Sequence, residues 1–488
     1  MENLIRFDVT NERNLTMLVD FYELTMGNGY FNKGVQDKIA YFDMFFRKVP
    51  DDGGYCIVAG LDQLIQYLKN LKFTDSDIEF LKSKNMFSDE FLAYLKNFKF
   101  ECDVWAIPEG NLVFPNQPLV TVRGPVVQAQ FIETMLLLTI NHQTLIATKA
   151  NRICRAANGR TVMEFGSRRA QGYDGAIYGS RAAIIGGCDS TACTISDKYF
   201  NVPAVGTMAH SWVQLFDTEY EAFKAWAETY PDNCSLLIDT YNVLKSGLPN
   251  AIKVFDEVLK PLGKRPTSIR LDSGDIAYLT KKCRKILDAA GYEDCKILVS
   301  NSLDEHIIRG VLNQGACVDA FGVGERLITA KSEPVFGGVY KLVAVENNNE
   351  IVPRIKISEN SEKITNPGFK KIYRIFDRDT DMAIADLITL HNEVIDESKP
   401  LEIFHPIDTW KRKKITNFYA KELMVKIFDK GNLVYKSPSV LEIKEFSKNE
   451  NKKMWPETLR FENPHTYYVD LSQKLWDLKQ ELLHRGSY

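Results

Sequence analysis

The hydrophobic positions between residues 126 and 350 form short apolar runs that alternate with segments of helical spacing. A long helical segment, residues 128–157, comes first, and helical stretches such as 219–230 separate several of the runs. This pattern predicts repeated βα units with parallel strand pairing, which is an α/β fold. Six runs end in small or polar residues and are the predicted strands: "TVMEFGS", "VPAVGT", "CSLLIDT", "TSIRLDSGD", "CKILVSNS" and "VDAFGVGE".

Polar residues or glycines follow each of these predicted strands. In α/β barrels the carboxyl ends of the strands carry the active site, and packing alone would not require a polar group after every strand. We therefore interpret the strand-end residues as a candidate site, which comprises Glu164, Arg168, Thr207, His210, Asp239, Arg270, Asp272, Asn301, Gly322 and Gly324.

The segments on either side have a different pattern, so we divide the chain into residues 1–125, 126–350 and 351–488. The first is expected to be an N-terminal α/β domain and the last a small β-rich accessory domain. The last segment contains two predicted β-hairpins, the second of which turns at "DKGN". In the first segment, we predict helices at 14–31 and 60–73 and extended runs at 38–50 and 103–125.

Composition and charge narrow the class of protein. The chain has 488 residues, which is more than one ordinary core accommodates. Its net charge of -3 provides no overall field that attracts nucleic acid or anionic lipid. We interpret the basic run "KRKK" (411–414) as a solvated face, with nucleic-acid binding as the alternative. Nine cysteines without any CxxC pair are typical of reduced thiols.

The sequence also contains no targeting or membrane signal that we recognise. Residues 1–14 lack a basic start followed by an apolar core, so no signal peptide is predicted. The most apolar segment, residues 131–140, contains Glu133 and is too short to span a bilayer. We therefore expect a cytoplasmic protein with no membrane partner.

Three motifs point to anionic ligands. "EFGSRRAQGYDG" places arginines among glycines, a composition that suits phosphate binding, although a glycine-rich turn with surface arginines is the alternative. "FGVGE" adds a Gly-x-Gly at a strand end, a weak but compatible phosphate signal. "RLDSGD" combines one arginine with two carboxylates, which suits a ligand carboxylate and a hydrated Mg²⁺. A simple salt bridge between Arg270 and Asp272 is the alternative there.

Five motifs together resemble the nicotinate phosphoribosyltransferases. They are "DFYELTMGNGYF", "EFGSRRAQGYDG", "GTMAHS", "RLDSGD" and "FGVGERLIT…GGVYKLV", and they extend from about residue 14 to 345. The resemblance implies an incomplete α/β barrel of the type II phosphoribosyltransferase kind. It also implies the joining of nicotinate to phosphoribosyl pyrophosphate in NAD salvage, with ATP as co-substrate, Mg²⁺ as cofactor, and a homodimer whose active sites are shared between subunits.

The resemblance assigns roles to individual residues. His210 of "GTMAHS" would be phosphorylated by ATP, whereas by itself it could also be a structural core histidine. Asp239 would orient the imidazole and stabilise its cationic form, as a triad carboxylate does. Phosphate would be held by Arg168, Gly322, Gly324 and Thr329, and Mg²⁺ would involve Asp272 and Asp275. Nicotinate would contact Phe165, Thr207 and Arg270, and Tyr22 from the partner subunit.

Two other functions stay open at this stage. One is a relative on the same scaffold that uses nicotinamide or quinolinate, although quinolinate, with two carboxylates, would require a more basic pocket than Arg270 alone provides. The other is a catalytically idle barrel that senses phosphoribosyl or nucleotide ligands. The presence of both His210 and Asp239 argues against an idle barrel.

Overall fold

The computed structural model of the protein describes residues 14–360 and 363–485. Residues 1–13, which include most of the segment without a signal-peptide pattern, lie outside this part. Contacts within the chain define two units. The barrel unit comprises residues 146–334 and 439–444, and the antiparallel unit comprises the other described residues, within 14–145, 335–438 and 445–485. The predicted boundaries after residues 125 and 350 stay predictions.

The chain begins with the helices and short strands expected from its pattern. The predicted helix at 14–31 begins only at Phe21, after Asp20 in an extended conformation, and in the preceding segment the Asn14 side-chain oxygen accepts the Thr16 N–H. The elements up to residue 156 are α1 (Phe21–Asn32), β1 (Ile39–Phe46), β2 (Cys56–Ile57), α2 (Leu61–Lys69), α3 (Asp75–Ser83), α4 (Asp89–Lys96), β3 (Asp103–Ala106), β4 (Leu112–Val113), β5 (Val120–Pro125), α5 (Val126–Phe131) and α6 (Glu133–Ala156).

The next elements alternate between strand and helix as predicted, except that three helices follow one another between the second and the third of these strands. Two π-helical turns, Val243–Gly247 and Phe255–Leu259, flank one of the helices. The elements are β6 (Thr161–Glu164), α7 (Gly172–Gly186), β7 (Ser190–Thr191), α8 (Thr194–Phe200), α9 (His210–Leu215), α10 (Glu219–Thr229), β8 (Ser235–Leu237), α11 (Leu248–Val254), β9 (Ser268–Leu271), α12 (Ile276–Ala289), β10 (Lys296–Ser300), α13 (Glu305–Asn313), β11 (Ala320–Val323) and α14 (Glu325–Ile328).

These six strands form one parallel sheet in the order β7-β6-β11-β10-β9-β8. Because β11, the last of these six strands along the chain, pairs with β6, the first of them, the strands follow one another around a ring. The ring is open between its two edge strands, β7 and β8. The barrel is therefore incomplete, and the predicted fold class is confirmed.

One predicted strand is wrong. "VPAVGT" forms only an isolated bridge, Thr191 to Ala204, and the strand in its place is the two-residue β7. The Thr191 amide donates to the carbonyl of Pro203, and the Val205 amide donates to the carbonyl of Thr191. Proline has no N–H to extend such a ladder, so pairing stops there.

The remaining elements are mainly strands of the antiparallel unit, and both predicted hairpins are present. β14 pairs with β15, and β19 pairs with β20 across Lys430 and Gly431. The elements are β12 (Gly338–Asn347), β13 (Glu350–Pro353), β14 (Lys370–Asp377), β15 (Ala383–Leu390), β16 (Leu401–Phe404), β17 (Arg412–Ile415), β18 (Phe418–Glu422), β19 (Val425–Asp429), β20 (Asn432–Leu433), α15 (Val440–Lys452), β21 (Val469–Leu471) and α16 (Gln473–Arg485).

Two sheets organise the antiparallel unit. A seven-stranded sheet has the order β13-β12-β1-β5-β3-β19-β20, so strands from both ends of the chain build it together. A four-stranded sheet has the order β18-β14-β15-β21. No helix in the described ranges is long and apolar enough to cross a membrane. None of the nine cysteines, all of which lie in the described ranges, forms a disulfide, and burial raises the pKa of the Cys234, Cys283 and Cys295 thiols to about 12.

Candidate active site

The candidate site lies at the carboxyl ends of the barrel strands. Arg270 is in β9, Ser300 ends β10, Asp239 follows β8 and Phe165 follows β6. Because the strands are parallel, their carboxyl ends meet at one edge of the sheet. The strand order therefore brings together side chains that are far apart in the chain, from Phe165 to Ser300.

Arg270 is the centre of this cluster, and its side chain is only 15% exposed. Its Nε donates to Ser300 Oγ at 3.0 Å, and its Nη1 donates to Thr207 Oγ1 at 3.1 Å and to the Met208 carbonyl at 3.4 Å. Nη2 donates to Asp272 Oδ1 at 3.1 Å, so the salt bridge considered as an alternative is present. The guanidinium carbon lies 5.9 Å from the centroid of the Phe165 ring.

His210 begins α9 and has a side chain that is 40% exposed, unlike a core histidine. Its Nδ1 lies 3.1 Å from Thr240 Oγ1, which is a hydrogen bond. Its Nε2 lies 3.8 Å from Asp272 Oδ2, a distance suited to charge attraction rather than to a short hydrogen bond. Thr240 therefore fixes one ring nitrogen, while the other faces the carboxylate that also binds Arg270.

Asp239 is buried, and it contacts the turn that follows β9. Its Oδ2 accepts the Asp272 N–H at 2.8 Å and the Ser273 hydroxyl at 2.6 Å. Its Oδ1 is buried without a hydrogen-bond partner among the described residues. The structure thus connects Asp239 to His210 through Asp272, and the direct orientation of the imidazole by Asp239 stays a prediction.

The two glycines of the Gly-x-Gly motif lie against Phe165. A Cβ atom on Gly322 would come within 2.6 Å of Phe165 Cδ2, and one on Gly324 would come within 3.0 Å of the Phe165 carbonyl oxygen. No side chain fits at Gly322 unless the ring moves. Close packing against Phe165 thus explains why residue 322 is a glycine. The phosphate role of both glycines stays a prediction.

The other predicted phosphate ligands lie in turns of the barrel unit. Arg168 is exposed in a short 3-10 turn, and the Thr329 hydroxyl donates to the Glu325 carbonyl at 2.7 Å. Glu164, by contrast, is buried and accepts hydrogen bonds from the Ser180 and Thr191 hydroxyls at 3.0 and 2.6 Å. Burial raises the pKa of Glu164. This residue therefore anchors the end of β6 within the protein.

The two predicted metal-associated carboxylates already have protein partners. Asp275 is exposed and caps α12, because its Oδ1 accepts the Tyr278 N–H at 2.8 Å. Asp272 Oδ1 accepts hydrogen bonds from Arg270 and Ser300. Within the described part of the chain, no group of three His, Cys, Asp or Glu side chains could hold a metal ion. The second oxygen of Asp272 faces His210, and the Mg²⁺ role of both carboxylates stays a prediction.

Tyr22 belongs to α1 of the antiparallel unit and is 43% exposed. Burial and a hydrogen bond to the Glu133 carboxylate raise the pKa of its hydroxyl. The next residue, Glu23, is buried and accepts hydrogen bonds from the Thr134 N–H and hydroxyl at 3.1 and 2.6 Å. Burial raises the pKa of Glu23 to about 8. Tyr22 is therefore partly exposed while its hydroxyl is directed to Glu133 of the same chain, and Glu23 is fixed inward.

Sequence reasoning missed three polar residues of this cluster. Ser300 bridges Arg270 and Asp272, although the sequence interpretation chose its neighbour Asn301, which has a left-handed φ of 92°. Thr240 and Ser273 each follow a predicted site residue directly. The strand-end pattern located the correct turns, but it could not show which of two adjacent side chains points into the site.

An incomplete parallel barrel with an arginine, a histidine and carboxylates at its strand ends defines an α/β-barrel enzyme. Comparison with known families specifies the class further. The sequence model of the nicotinate phosphoribosyltransferase (NAPRTase) family matches residues 161–378, and models of its N-terminal and C-terminal domains match residues 17–141 and 369–479. The chain belongs to the nicotinate phosphoribosyltransferase family.

Individual relatives agree with this assignment. The chain is 45% identical to a nicotinate phosphoribosyltransferase of Bacillus subtilis over 473 residues, which are 96% of each chain. The crystal structure of human nicotinic acid phosphoribosyltransferase is similar at 28% identity with a TM-score of 0.83, over 96% of this chain and 100% of that one. A nicotinate-nucleotide pyrophosphorylase of Pyrococcus furiosus shares the fold, with 24% identity and a TM-score of 0.70, over 92% of this chain and 98% of that one.

Proposed function

We propose that this protein joins nicotinate to phosphoribosyl pyrophosphate, which yields nicotinate mononucleotide and pyrophosphate for NAD salvage. Membership of the family supports the reaction. The observation in this chain that supports the proposed reaction most directly is the Arg270 cluster. In this cluster a partly buried guanidinium lies beside the Phe165 ring and the Thr207 hydroxyl. A planar ring with one carboxylate matches this combination of a cation, an aromatic face and a hydroxyl.

In this proposal Arg270 recognises the nicotinate carboxylate. The guanidinium is held by Ser300 and Asp272 on two sides, so it is oriented before the ligand arrives. Such preorganisation lowers the entropy that binding costs. Phe165 would cover one face of the pyridine ring. Tyr22 of a second subunit would cover the other face, which requires a homodimer with shared active sites.

His210 is the proposed phosphoryl acceptor from ATP. Its hydrogen bond between Nδ1 and Thr240 leaves Nε2 as the ring nitrogen available for attack on the γ-phosphate. Asp272 lies near Nε2 and would stabilise the cationic ring that forms. Asp239 would hold the Asp272–Ser273 turn in place, and its negative charge would help to stabilise the cationic ring. Hydrolysis of this phosphohistidine would couple ATP to product formation.

Charge at the phosphates would be balanced by cations. Arg168 is exposed and could reach a phosphate, and the amides of Gly322 and Gly324 and the Thr329 hydroxyl would add hydrogen bonds. Mg²⁺ commonly binds through one or two carboxylates together with substrate phosphates. The second oxygens of Asp272 and Asp275 fit this mode through water, and the ion would neutralise phosphate charge when bound.

A product assay with three ring substrates tests the reaction. The full chain is incubated with phosphoribosyl pyrophosphate, ATP and Mg²⁺, together with nicotinate, nicotinamide or quinolinate. We expect nicotinate mononucleotide as the main product, because one arginine matches one carboxylate. A preference for nicotinamide or quinolinate would overturn the assignment of substrate. Nucleotide binding without any product would instead indicate a sensor.

A further inference from the structure

The second half of α6 packs against the end of α7 with backbone atoms in close contact. A Cβ atom on Gly186, the last residue of α7, would lie 2.2 Å from the Ala147 carbonyl oxygen and 2.7 Å from the Ala150 Cβ atom. The Asn151 side-chain amide donates to the Gly186 carbonyl oxygen at 3.2 Å. Because no side chain fits between the two helices at Gly186, α6 and α7 are held close together.

This close approach of α6 and α7 brings two cysteines together. Cys154 lies in the last turn of α6, and Cys188 follows α7 directly after Gly187. The Cys154 thiol donates to the Cys188 sulfur, and the two Sγ atoms are 3.8 Å apart. Gly187 has a left-handed φ of 125°, and a Cβ atom there would lie 3.3 Å from the Cys154 Cβ atom. The backbone therefore places the two short cysteine side chains next to each other.

The backbone at Cys188 is also held by residues outside these two helices. The Asp189 N–H donates to the Val162 carbonyl oxygen of β6 at 2.8 Å, and Asp189 Oδ2 accepts the Val162 N–H at 3.1 Å. Lys444 Nζ donates to the Cys188 carbonyl oxygen at 2.9 Å and to Asp189 Oδ1 at 3.0 Å. These hydrogen bonds fix the backbone of Cys188, so its thiol stays beside the Cys154 thiol.

The two thiols differ in their access to solvent. Cys154 is partly exposed, whereas Cys188 is buried. The hydrogen bond with Cys154 and burial raise the pKa of the Cys188 thiol. An oxidant from solution therefore meets Cys154 first, and Cys188 lies next to it as a second thiol. This arrangement suits a cysteine that is oxidised to a sulfenic acid and then condenses with a neighbouring thiol.

We propose that Cys154 and Cys188 form a dithiol site that a hydroperoxide oxidises to an intramolecular disulfide. The Cys154 sulfur attacks a peroxide oxygen, the O–O bond breaks, and the leaving hydroxide takes the thiol proton as water, which leaves a sulfenic acid. The Cys188 sulfur then attacks the sulfenic sulfur, the S–O bond breaks, and hydroxide leaves with the Cys188 proton as a second water. Because a disulfide bond is about 2.05 Å long, side-chain rotation must bring the sulfur atoms about 1.8 Å closer than their 3.8 Å separation. The modification does not depend on the proposed reaction with nicotinate.

Peptide mapping of the full chain after treatment with one equivalent of hydrogen peroxide tests the proposal. Remaining thiols are blocked with iodoacetamide before digestion with trypsin, which releases Cys154 in residues 153–155 and Cys188 in residues 182–198. We expect the loss of two free thiols per chain and a disulfide that links these two peptides. A dithiol reductant should restore both thiols by exchange. Oxidation of Cys154 without this link, or a link from Cys154 to another cysteine, would overturn the proposal.

Three serine variants assign the two sulfur atoms. Peptide 182–198 also contains the buried Cys193, so Cys193→Ser is the matched control and should retain the link. Cys154→Ser, a change at the partly exposed position, should abolish the link. Cys188→Ser should abolish it too and leave Cys154 as a sulfenic acid, which dimedone labels. Loss of the link in Cys193→Ser, its persistence in either other variant, or a Cys154 that dimedone does not label in Cys188→Ser would contradict the proposal.

Discussion

At the scale of single residues, Arg270 tests the identity of the ring substrate. Arg270→Ala removes a charge-assisted contact of about 1.5–3 kcal/mol, so the KM for nicotinate should rise roughly ten- to a hundredfold. The KM for ATP should change little. Arg265→Ala is the control, because Arg265 is an exposed barrel arginine paired with Asp294. An unchanged KM for nicotinate in Arg270→Ala would leave only the salt bridge to Asp272 as its role.

The Asp239→Asn variant tests whether Asp239 acts through its negative charge or only through the hydrogen bonds that it accepts. The amide oxygen in Asp239→Asn can still accept the Asp272 N–H and the Ser273 hydroxyl, so the turn should persist. The loss of charge should slow phosphorylation of the enzyme by roughly two to four orders of magnitude, as for a triad carboxylate. Rapid-quench kinetics measures this rate, and Ser273→Ala is the control that removes one hydrogen bond but no charge. A normal rate in Asp239→Asn would assign Asp239 to packing.

The site residues were predictable from sequence where a motif fixed their chemistry, as for His210 and Arg270. Two residues that hydrogen-bond to these side chains were not predictable. Ser300 and Thr240 contribute hydroxyl groups whose importance depends on the side chains that face them across neighbouring strands or loops. A serine or threonine at a strand end has no distinctive pattern of its own, so only the three-dimensional arrangement identifies these residues.

At the scale of elements, the attachment of α1 to α6 should depend on pH through Glu23. Burial raises the folded-state pKa of Glu23 to about 8 from an ordinary value of 4.5, so the folded chain retains a proton that the unfolded chain has lost. Raising the pH from 5 to 8 should therefore destabilise the antiparallel unit, by at most about 1.4 kcal/mol for each pH unit from this group.

Glu23→Gln, which resembles the protonated carboxyl group, should remove this contribution. Its melting temperature should match that of the wild type near pH 5 and exceed it increasingly toward pH 8. Glu79→Gln changes an exposed carboxylate of α3 in the same unit, whose charge is not among the causes of the raised Glu23 pKa, and it should keep the pH dependence of the wild type. A difference between Glu23→Gln and the wild type that is constant from pH 5 to 8 would contradict the assignment.

Most barrel elements could be predicted because each βα unit carries its own apolar run and helical spacing. The exception was the second strand. β7 has only two residues, which is too few to produce a periodic pattern, and the strand was predicted instead at the apolar segment "VPAVGT" nearby. A strand this short forms only where a neighbouring strand offers backbone N–H and C=O groups for pairing. In this case the neighbour is β6, which pairs with β7 over only two residues.

At the scale of the whole molecule, the long-range pairing of strands could not be predicted. β1 pairs with β12, and β3 pairs with β19, across some 300 residues of chain in each case. Alternating apolar positions show that a strand has a buried face, but they do not specify its partner. Segments that differ in sequence character thus form one antiparallel unit.

Shared active sites are a prediction about the assembled molecule. If Tyr22 reaches into the site of a second subunit, Tyr22→Ala and His210→Ala chains should each be inactive in ATP-coupled synthesis but regain activity when mixed. One site of each heterodimer would then be wild type in both positions. Activity is measured after heterodimers are isolated with two affinity tags. Isolated heterodimers without activity would exclude Tyr22 from the partner's site.

The central claim is that the strand-end cluster uses His210 to couple ATP to the synthesis of nicotinate mononucleotide. Incubation of the full chain with γ-labelled ATP measures this most directly. We predict acid-labile, base-stable label on the wild type and none on His210→Ala, together with slow, ATP-independent product formation by the variant, because displacement of pyrophosphate requires only positioning and charge. Label of the same amount on His210→Ala would contradict the account.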